Sequence, residues 1–387
     1  MLTGNSTRRE VNHAIDTTET GFHFFSRFRD IRVANLERIQ IEAGATSDQI
    51  IRVVRSMLGN NGGSHVRGPI VVGALPFSFD SQTALFTSRR VHDYVRRPEG
   101  QSGAGPRLAP ERIESNPPEA SFLNAVEQAL RLLDARTVQK VVLARALEIT
   151  LPTRVDPGSL VSALVDRNHD AYTFAVPLGD CSAERPHWFI GASPELLVRK
   201  RGLTVTSNPL AGSIRRGTSH SEDEANAQAL LASKKDREEH EFVVAAVIGA
   251  LKPFCRELNY PAGPSLIQTP TVWHLSTVIS GELTDPAISS LDLAMALHPT
   301  PAVCGHPTIA ARHEGFNRDL YAGFVGWCDA GGDGEWAVAI RCGEFKDRWM
   351  RLFAGAGIVA GSIPEAELAE TTAKLRTMLN AINVEYR

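Results

Sequence analysis

The chain has 387 residues, 43% hydrophobic and 22% charged. That is the composition of a globular protein, long enough to bury roughly three quarters of its unfolded surface without covalent staples. Its 41 basic and 44 acidic side chains give a net charge of -3. No overall field therefore attracts nucleic acid or an anionic membrane, and an anionic ligand must be held by local positive groups.

Residues 1–20 are polar and aperiodic and read as a loose leader. They lack a basic stretch followed by an apolar one, so no signal peptide is expected. Ser47 to Leu58 reads as a helix, closed by Gly59-Asn60-Asn61-Gly62-Gly63. Arg96 to Pro118 is rich in Pro, Gly, Arg and Glu; it reads as a long surface loop setting a smaller N-terminal layer apart from the rest. Pro118 to Arg136 places Phe122, Ala125, Val126, Ala129, Leu130 and Leu133 on one helical face.

Strands are expected at Lys140–Ile149, Thr173–Pro177, Trp188–Ile190, Leu196–Arg199, Leu203–Thr206 and Val272–Ser280. Helices are expected over Ser233–Pro253 and Leu291–Leu297. Three extended segments follow, Gly323–Cys328, Trp336–Cys342 and Met350–Val359, the first two joined by a glycine-rich hairpin signal. A last helix runs from Pro364 to Ile382, with Pro364 in its first turn, Ser362 as cap, and Leu368, Thr371, Leu375, Leu379 and Ile382 as its buried stripe. Strands arrive in runs with helices between the runs. The fold class is α/β of the α+β type: large mixed or antiparallel sheets packed face to face, with helices outside.

The five cysteines, Cys181, Cys255, Cys304, Cys328 and Cys342, are odd in number and form no C-x-x-C pair, which suits reduced thiols. No apolar run nears the roughly 20 residues of a membrane span, so the expected location is cytoplasmic.

Gly355-Ala356-Gly357-Ile358-Val359-Ala360 matches a dinucleotide fingerprint after a strand. The helix, however, opens only at Pro364, and no later strand exists to carry a ribose-binding acid. A better use of the glycines is to let backbone N–H groups approach an anion. Glu367, Glu370 and Lys374 share one face of the last helix; by spacing alone this is a solvated face with one i,i+4 pair. Lys234-Lys235-Asp236-Arg237-Glu238-Glu239-His240 is a charged first turn, and His240-Glu241 lacks the second histidine of a zinc motif. Acids from two helices can nevertheless share Mg²⁺, which takes oxygen ligands. Lys140 opens a strand: it either snorkels to water or turns inward, where a neutral amine serves as base. Glu195, in a turn entering a strand, is exposed in ordinary proteins; desolvated, it keeps its proton and serves as acid.

Taken in order, Gly191-Ala192-Ser193-Pro194-Glu195-Leu196, Pro209-Leu210-Ala211-Gly212-Ser213, Lys235-Asp236-Arg237-Glu238-Glu239-His240, His298-Pro299-Thr300-Pro301-Ala302, Ile340-Arg341-Cys342, Ala354-Gly355-Ala356-Gly357 and Glu367-x-x-Glu370-x-x-x-Lys374 resemble the chorismate-utilising enzymes. The resemblance runs from about Ala120 to the C-terminus and implies the anthranilate synthase component I-like fold. It also implies one chorismate-binding domain over residues 21–387, with its catalytic part at about 120–387. Lys140, Trp273-His274-Leu275 and Gly323-Phe324-Val325-Gly326-Trp327-Cys328-Asp329 are similar to the isochorismate synthase branch. Anthranilate-type members carry Gln in place of Lys140 and need an amidotransferase.

The resemblance implies Mg²⁺ held by Glu239 and Glu370, with Glu367 reaching it directly or through water. Arg341 would grip the enolpyruvyl carboxylate, helped by Tyr321 and the Gly355 N–H. Ser213 and Lys374 would contact the ring carboxylate region, with His274 beside the ring and Ala302 in the substrate pocket. Lys140 would be the general base that activates water at C2, and Glu195 the general acid for the leaving C4 hydroxyl. The implied reaction is isomerisation of chorismate to isochorismate by a monomer without an amidotransferase partner. Its product feeds siderophore, menaquinone or salicylate pathways. Salicylate synthase, which adds pyruvate elimination, is the alternative; a pocket position that tends to be Thr there is apolar here, Ala302 or Val303. An ammonia-using synthase and a non-catalytic chorismate-binding protein are the remaining readings.

Overall fold

The structure is a computed structural model that describes residues 21–59, 68–94, 108–179, 184–308 and 316–386. The expected leader, the glycine-rich segment from Asn60 onward and Cys181 lie outside these residues.

Alternating apolar and polar runs broken by turn residues favour hairpins and meanders. Among the described residues every paired strand is antiparallel, so the sheets are not mixed. A ten-stranded sheet has Lys140–Thr150, Trp349–Ile358, Cys342–Lys346, His187–Ser193 and Tyr172–Pro177 side by side at its centre. A nine-stranded sheet carries Thr204–Asn208, Leu196–Arg201, Gly334–Val338, Phe324–Asp329 and Ile70–Leu75 in adjacent places. A third sheet, of three strands, is built from Leu210–Arg215, Val272–Ser276 and Ser265–Gln268. One apolar core joins the two large sheets, running from Phe22, Phe24 and Ile31 on the first to Val72, Val198 and Trp336 on the second.

The helices are α1 (Ser47–Leu58), α2 (Glu119–Asp134), α3 (Pro157–Arg167), α4 (His220–Ala232), α5 (Lys234–Leu251), α6 (Ser290–Leu297) and α7 (Pro364–Ala381). Thr46 caps α1 in a reciprocal box with Gln49, and Ser289 does the same for α6 with Asp292. Ser233 ends α4 and caps α5, so the charged turn of α5 begins at a corner.

Several expectations are corrected. No N-terminal layer stands apart: Phe22–Phe25 pairs with Tyr172–Pro177, and Ile70–Leu75 with Phe324–Asp329. The expected loop to Pro118 contains a strand, Arg112–Asn116, on Lys140–Thr150. Ile113 is its one apolar residue, so the edge strand had no apolar period to read. Val272–Ser280 is two strands in different sheets, Val272–Ser276 and Ile279–Leu283. Trp336–Cys342 likewise breaks, because Arg341 takes φ 52 and the chain leaves one large sheet for the other. Ser362 does not cap α7; its hydroxyl accepts from the Val359 N–H, while Pro364 does occupy the first turn. The strand Leu210–Arg215 and helix α4 were not anticipated. Cys255, Cys304, Cys328 and Cys342 take part in no disulfide.

Candidate active site

The site forms where two inter-sheet crossovers meet the small sheet and the two charged helices. Pro194 and Glu195 carry the chain from His187–Ser193 into Leu196–Arg201; Ala339 to Arg341 carry it from Gly334–Val338 into Cys342–Lys346. Glu195 is thus buried, 3% exposed, although its turn-like sequence suggested the surface. Burial pushes its carboxyl up to about 7, against the opposing Leu210 N–H and the charges of Lys140, Arg341 and Lys374. The Leu210 N–H donates to Oε1 at 3.4 Å.

Lys140 turns inward and is fully buried. Its Nζ lies 2.8 Å from Glu239 Oε1 on α5. The glycine pair explains how they fit. A Cβ on Gly357 would stand 2.6 Å from Glu239 Oε1 and 2.9 Å from Lys140 Cε, and one on Gly355 would stand 2.8 Å from Tyr321 Oη. The glycines therefore make room for side chains and do not form a nucleotide turn. The Gly355 carbonyl accepts from Lys374 Nζ at 2.9 Å. Tyr321 is buried and stacks on Phe353, ring centroids 5.2 Å apart.

Glu370 sits 2.6 Å from Lys374 Nζ and accepts from the Ser213 hydroxyl at 2.8 Å. Burial pushes its pKa up, but the charge and hydrogen bond of Lys374, with Ser213, hold it below the usual range. The exposed-face reading of α7 therefore fails at Glu367 and Glu370. Glu367 is buried, pairs with Lys235 at 3.2 Å, and leaves Oε2 without a hydrogen bond. Burial and the neighbouring Glu370 charge raise its pKa.

Arg341 is buried, its Nη2 3.2 Å from His274 Nε2 and its Nε unpartnered. Burial holds the His274 pKa well down, aided by the charges of Arg341 and Lys374, so the neutral ring accepts from the guanidinium. Arg145, also fully buried, fixes α7 from below: its Nε donates to Thr371 Oγ1 at 2.8 Å and its Nη2 to Thr372 Oγ1 at 2.6 Å.

Glu195, Ser213, Glu239, His274, Ala302, Tyr321, Arg341, Gly355, Glu370 and Lys374 line one cavity. Lys140 and Glu367 are tied to it through Glu239 and Lys235. Lys235 and Asp236, to which the sequence assigns no role, line the same cavity, as do Gly357 and Val303. The i,i+4 spacing of Lys235 and Glu239 was a usable signal for the first. A larger cleft of about 780 Å³ shares only Pro194 and Arg341 with this cavity and carries none of its acids.

Among the described residues no three acid, His or Cys side chains converge into a ready cage. The donor set is nevertheless all oxygen, Glu367 Oε2 is buried without a bond, and Glu370 and Glu367 repel each other. Such a group suits a hard cation.

A family model of chorismate binding enzymes matches residues 71–383. The chain belongs to the chorismate-binding enzymes. This family member is 46% identical over 331 residues to the isochorismate synthase DhbC of Bacillus subtilis (strain 168), covering 82% of each chain. It superposes with TM-score 0.86 and 40% identity on the crystal structure of DhbC from Bacillus anthracis, covering 94% of this chain and 96% of that one. Anthranilate synthase component I of Streptococcus pneumoniae, 22% identical, shares the fold at TM-score 0.72, over 97% of this chain and 95% of that one. The anthranilate synthase-like architecture expected from the motifs is the architecture found. No helix among the described residues is long and apolar enough to cross a membrane.

Proposed function

We propose that this enzyme isomerises chorismate to isochorismate. The observation that carries the reading is Glu195: a carboxyl fully inside the fold, pushed up to about 7, lining the same cavity as Glu239, whose Oε1 lies 2.8 Å from the Lys140 amine. One group can hold a proton while the other accepts one, which an exchange of hydroxyl positions requires.

In this reading Lys140 takes a proton from a water molecule as that oxygen bonds to C2 of the ring. Glu195 gives its proton to the C4 hydroxyl, which leaves as water while the double bonds shift. One water enters and one departs, so the product is an isomer. Arg341 presents its free Nε and guanidinium plane to the enolpyruvyl carboxylate, with Tyr321 beside it. His274, neutral, holds the guanidinium in place. Ser213 and Lys374 face the ring carboxylate region, and Ala302 closes the apolar side.

Glu239, Glu370 and Glu367 would hold Mg²⁺, which polarises and pins the ring carboxylate when bound. The enzyme works without an amidotransferase, in the cytoplasm.

Incubation of the purified protein with chorismate and MgCl₂, with product separation by liquid chromatography, tests this. Isochorismate formed with Mg²⁺ and lost with EDTA is the expected result. Salicylate and equimolar pyruvate would replace it with the lyase reading, and an unchanged substrate would remove it.

A further inference from the structure

Each proposed cation ligand faces one lysine amine: Glu239 faces Lys140 at 2.8 Å, Glu370 faces Lys374 at 2.6 Å and Glu367 faces Lys235 at 3.2 Å. The three lysines differ in freedom. The Lys140 side chain is wholly buried and that of Lys374 12% exposed, whereas that of Lys235 is 38% exposed. Lys235 stands in the first turn of α5, one helical turn before Glu239, so the two share a face. Its charge is also felt by Asp236 and Glu239.

Glu367 makes two opposed demands. It is 2% exposed, and a buried carboxylate without a positive partner is costly. A divalent cation on the same carboxylate would meet repulsion from an ammonium already there. An ammonium on a four-carbon stem that reaches water reconciles the two demands. Lys140 and Lys374 lack that exit.

We infer that Lys235 is a displaceable counter-ion: it neutralises Glu367 until a divalent cation takes that carboxylate, then swings to solvent, so cation affinity is set by a competition inside the protein. This rests on the reading of Glu239, Glu367 and Glu370 as cation ligands.

The first test uses the unmodified chain. A brief pulse of acetic anhydride in EDTA or in saturating MgCl₂, followed by peptide mass spectrometry, reports amine exposure. Lys235 is expected to acylate several-fold faster with Mg²⁺, while Lys140 stays protected in both. Equal or slower labelling of Lys235 overturns the inference. The second test is direct Mn²⁺ titration followed by electron paramagnetic resonance. Lys235→Met is expected to bind about tenfold tighter, the worth of one half-exposed competing charge, and Lys235→Arg to stay near the original affinity. A structural fault would weaken binding, so a gain is diagnostic, and unchanged or weaker binding in Lys235→Met overturns the inference. If the unmodified chain binds neither ion, the ligand reading falls and takes the inference with it. Tight binding with Lys235 equally protected throughout sinks the counter-ion role alone.

Discussion

Glu195 and Arg341 occupy matching corners, each at the point where the chain passes from the ten-stranded to the nine-stranded sheet or back. The Val338 N–H donates to the Glu195 carbonyl at 3.1 Å, and the Ala192 N–H to the Arg341 carbonyl at 3.0 Å. Each corner is thus bonded to the strand that enters the other. The proposed acid and the proposed carboxylate clamp are positioned by backbone, independently of any ligand.

Glu195→Gln keeps the shape of the side chain and removes its acidic proton. kcat is expected to fall by about 10²–10⁴-fold, with chorismate binding by calorimetry nearly unchanged. In the unmodified enzyme the protonated form is the reactive one, so kcat should decline as pH rises through about 7. Stability follows the same sign. The folded value lies above the unfolded 4.5, so the carboxyl's contribution is full below 4.5 and is lost as pH rises through about 7. The loss is on the order of 3 kcal/mol. The melting temperature of Glu195→Gln should therefore exceed that of the unmodified protein by more at pH 8 than at pH 5; a constant difference contradicts the buried-acid assignment.

Lys140→Ala removes the base and strands Glu239, whose side chain is 10% exposed, without its partner. Turnover should vanish while chorismate affinity largely survives. Folding should weaken by about 3–5 kcal/mol, the usual result of breaking a buried pair from one side. Urea unfolding with and without MgCl₂ checks this. Near-normal rates would remove Lys140 from the base role.

Gly357→Ala probes the strand floor. Its new methyl would press on Glu239 Oε1 and Lys140 Cε at 2.6 and 2.9 Å. A displacement near 1 Å is enough to lower kcat by about 10²-fold. Circular dichroism should show an intact fold, because both neighbours are ends of side chains.

Arg341→Lys keeps the charge and loses the planar fork. Lysine bears the same backbone penalty at φ 52, so the comparison isolates the head group. KM for chorismate should rise by about tenfold or more with a smaller change in kcat. A kcat loss with KM unchanged would argue against ground-state carboxylate binding.

The fold class was legible in the order of strands and helices; the surroundings of the individual site residues were not. Glu239, Glu367, Glu370 and Lys374 sit on helices whose period is visible in the sequence, so which of them share a face could be read, but not that Glu367 is buried. Lys140 was legible as a strand opening, but not which way it points, since one residue of register reverses a strand's faces. Glu195 and Arg341 lie at corners created by pairing between segments 146 positions apart, which no local pattern encodes. Strand Arg112–Asn116 escaped notice because its ladder, and not an apolar face, holds it in place. The space the glycine pair provides was not legible, because it depends on what packs above it, namely Tyr321, Glu239 and Lys140.

The grip of Arg145 on Thr371 and Thr372 gives distant substitutions a path to the chemistry. Its strand also bears Lys140, and the two threonines follow Glu370 directly, so one guanidinium fastens the helix of acids to the strand of the amine. A packing fault beneath α7, far from any ring atom, will be felt as a detuned reaction before it is felt as a lost fold.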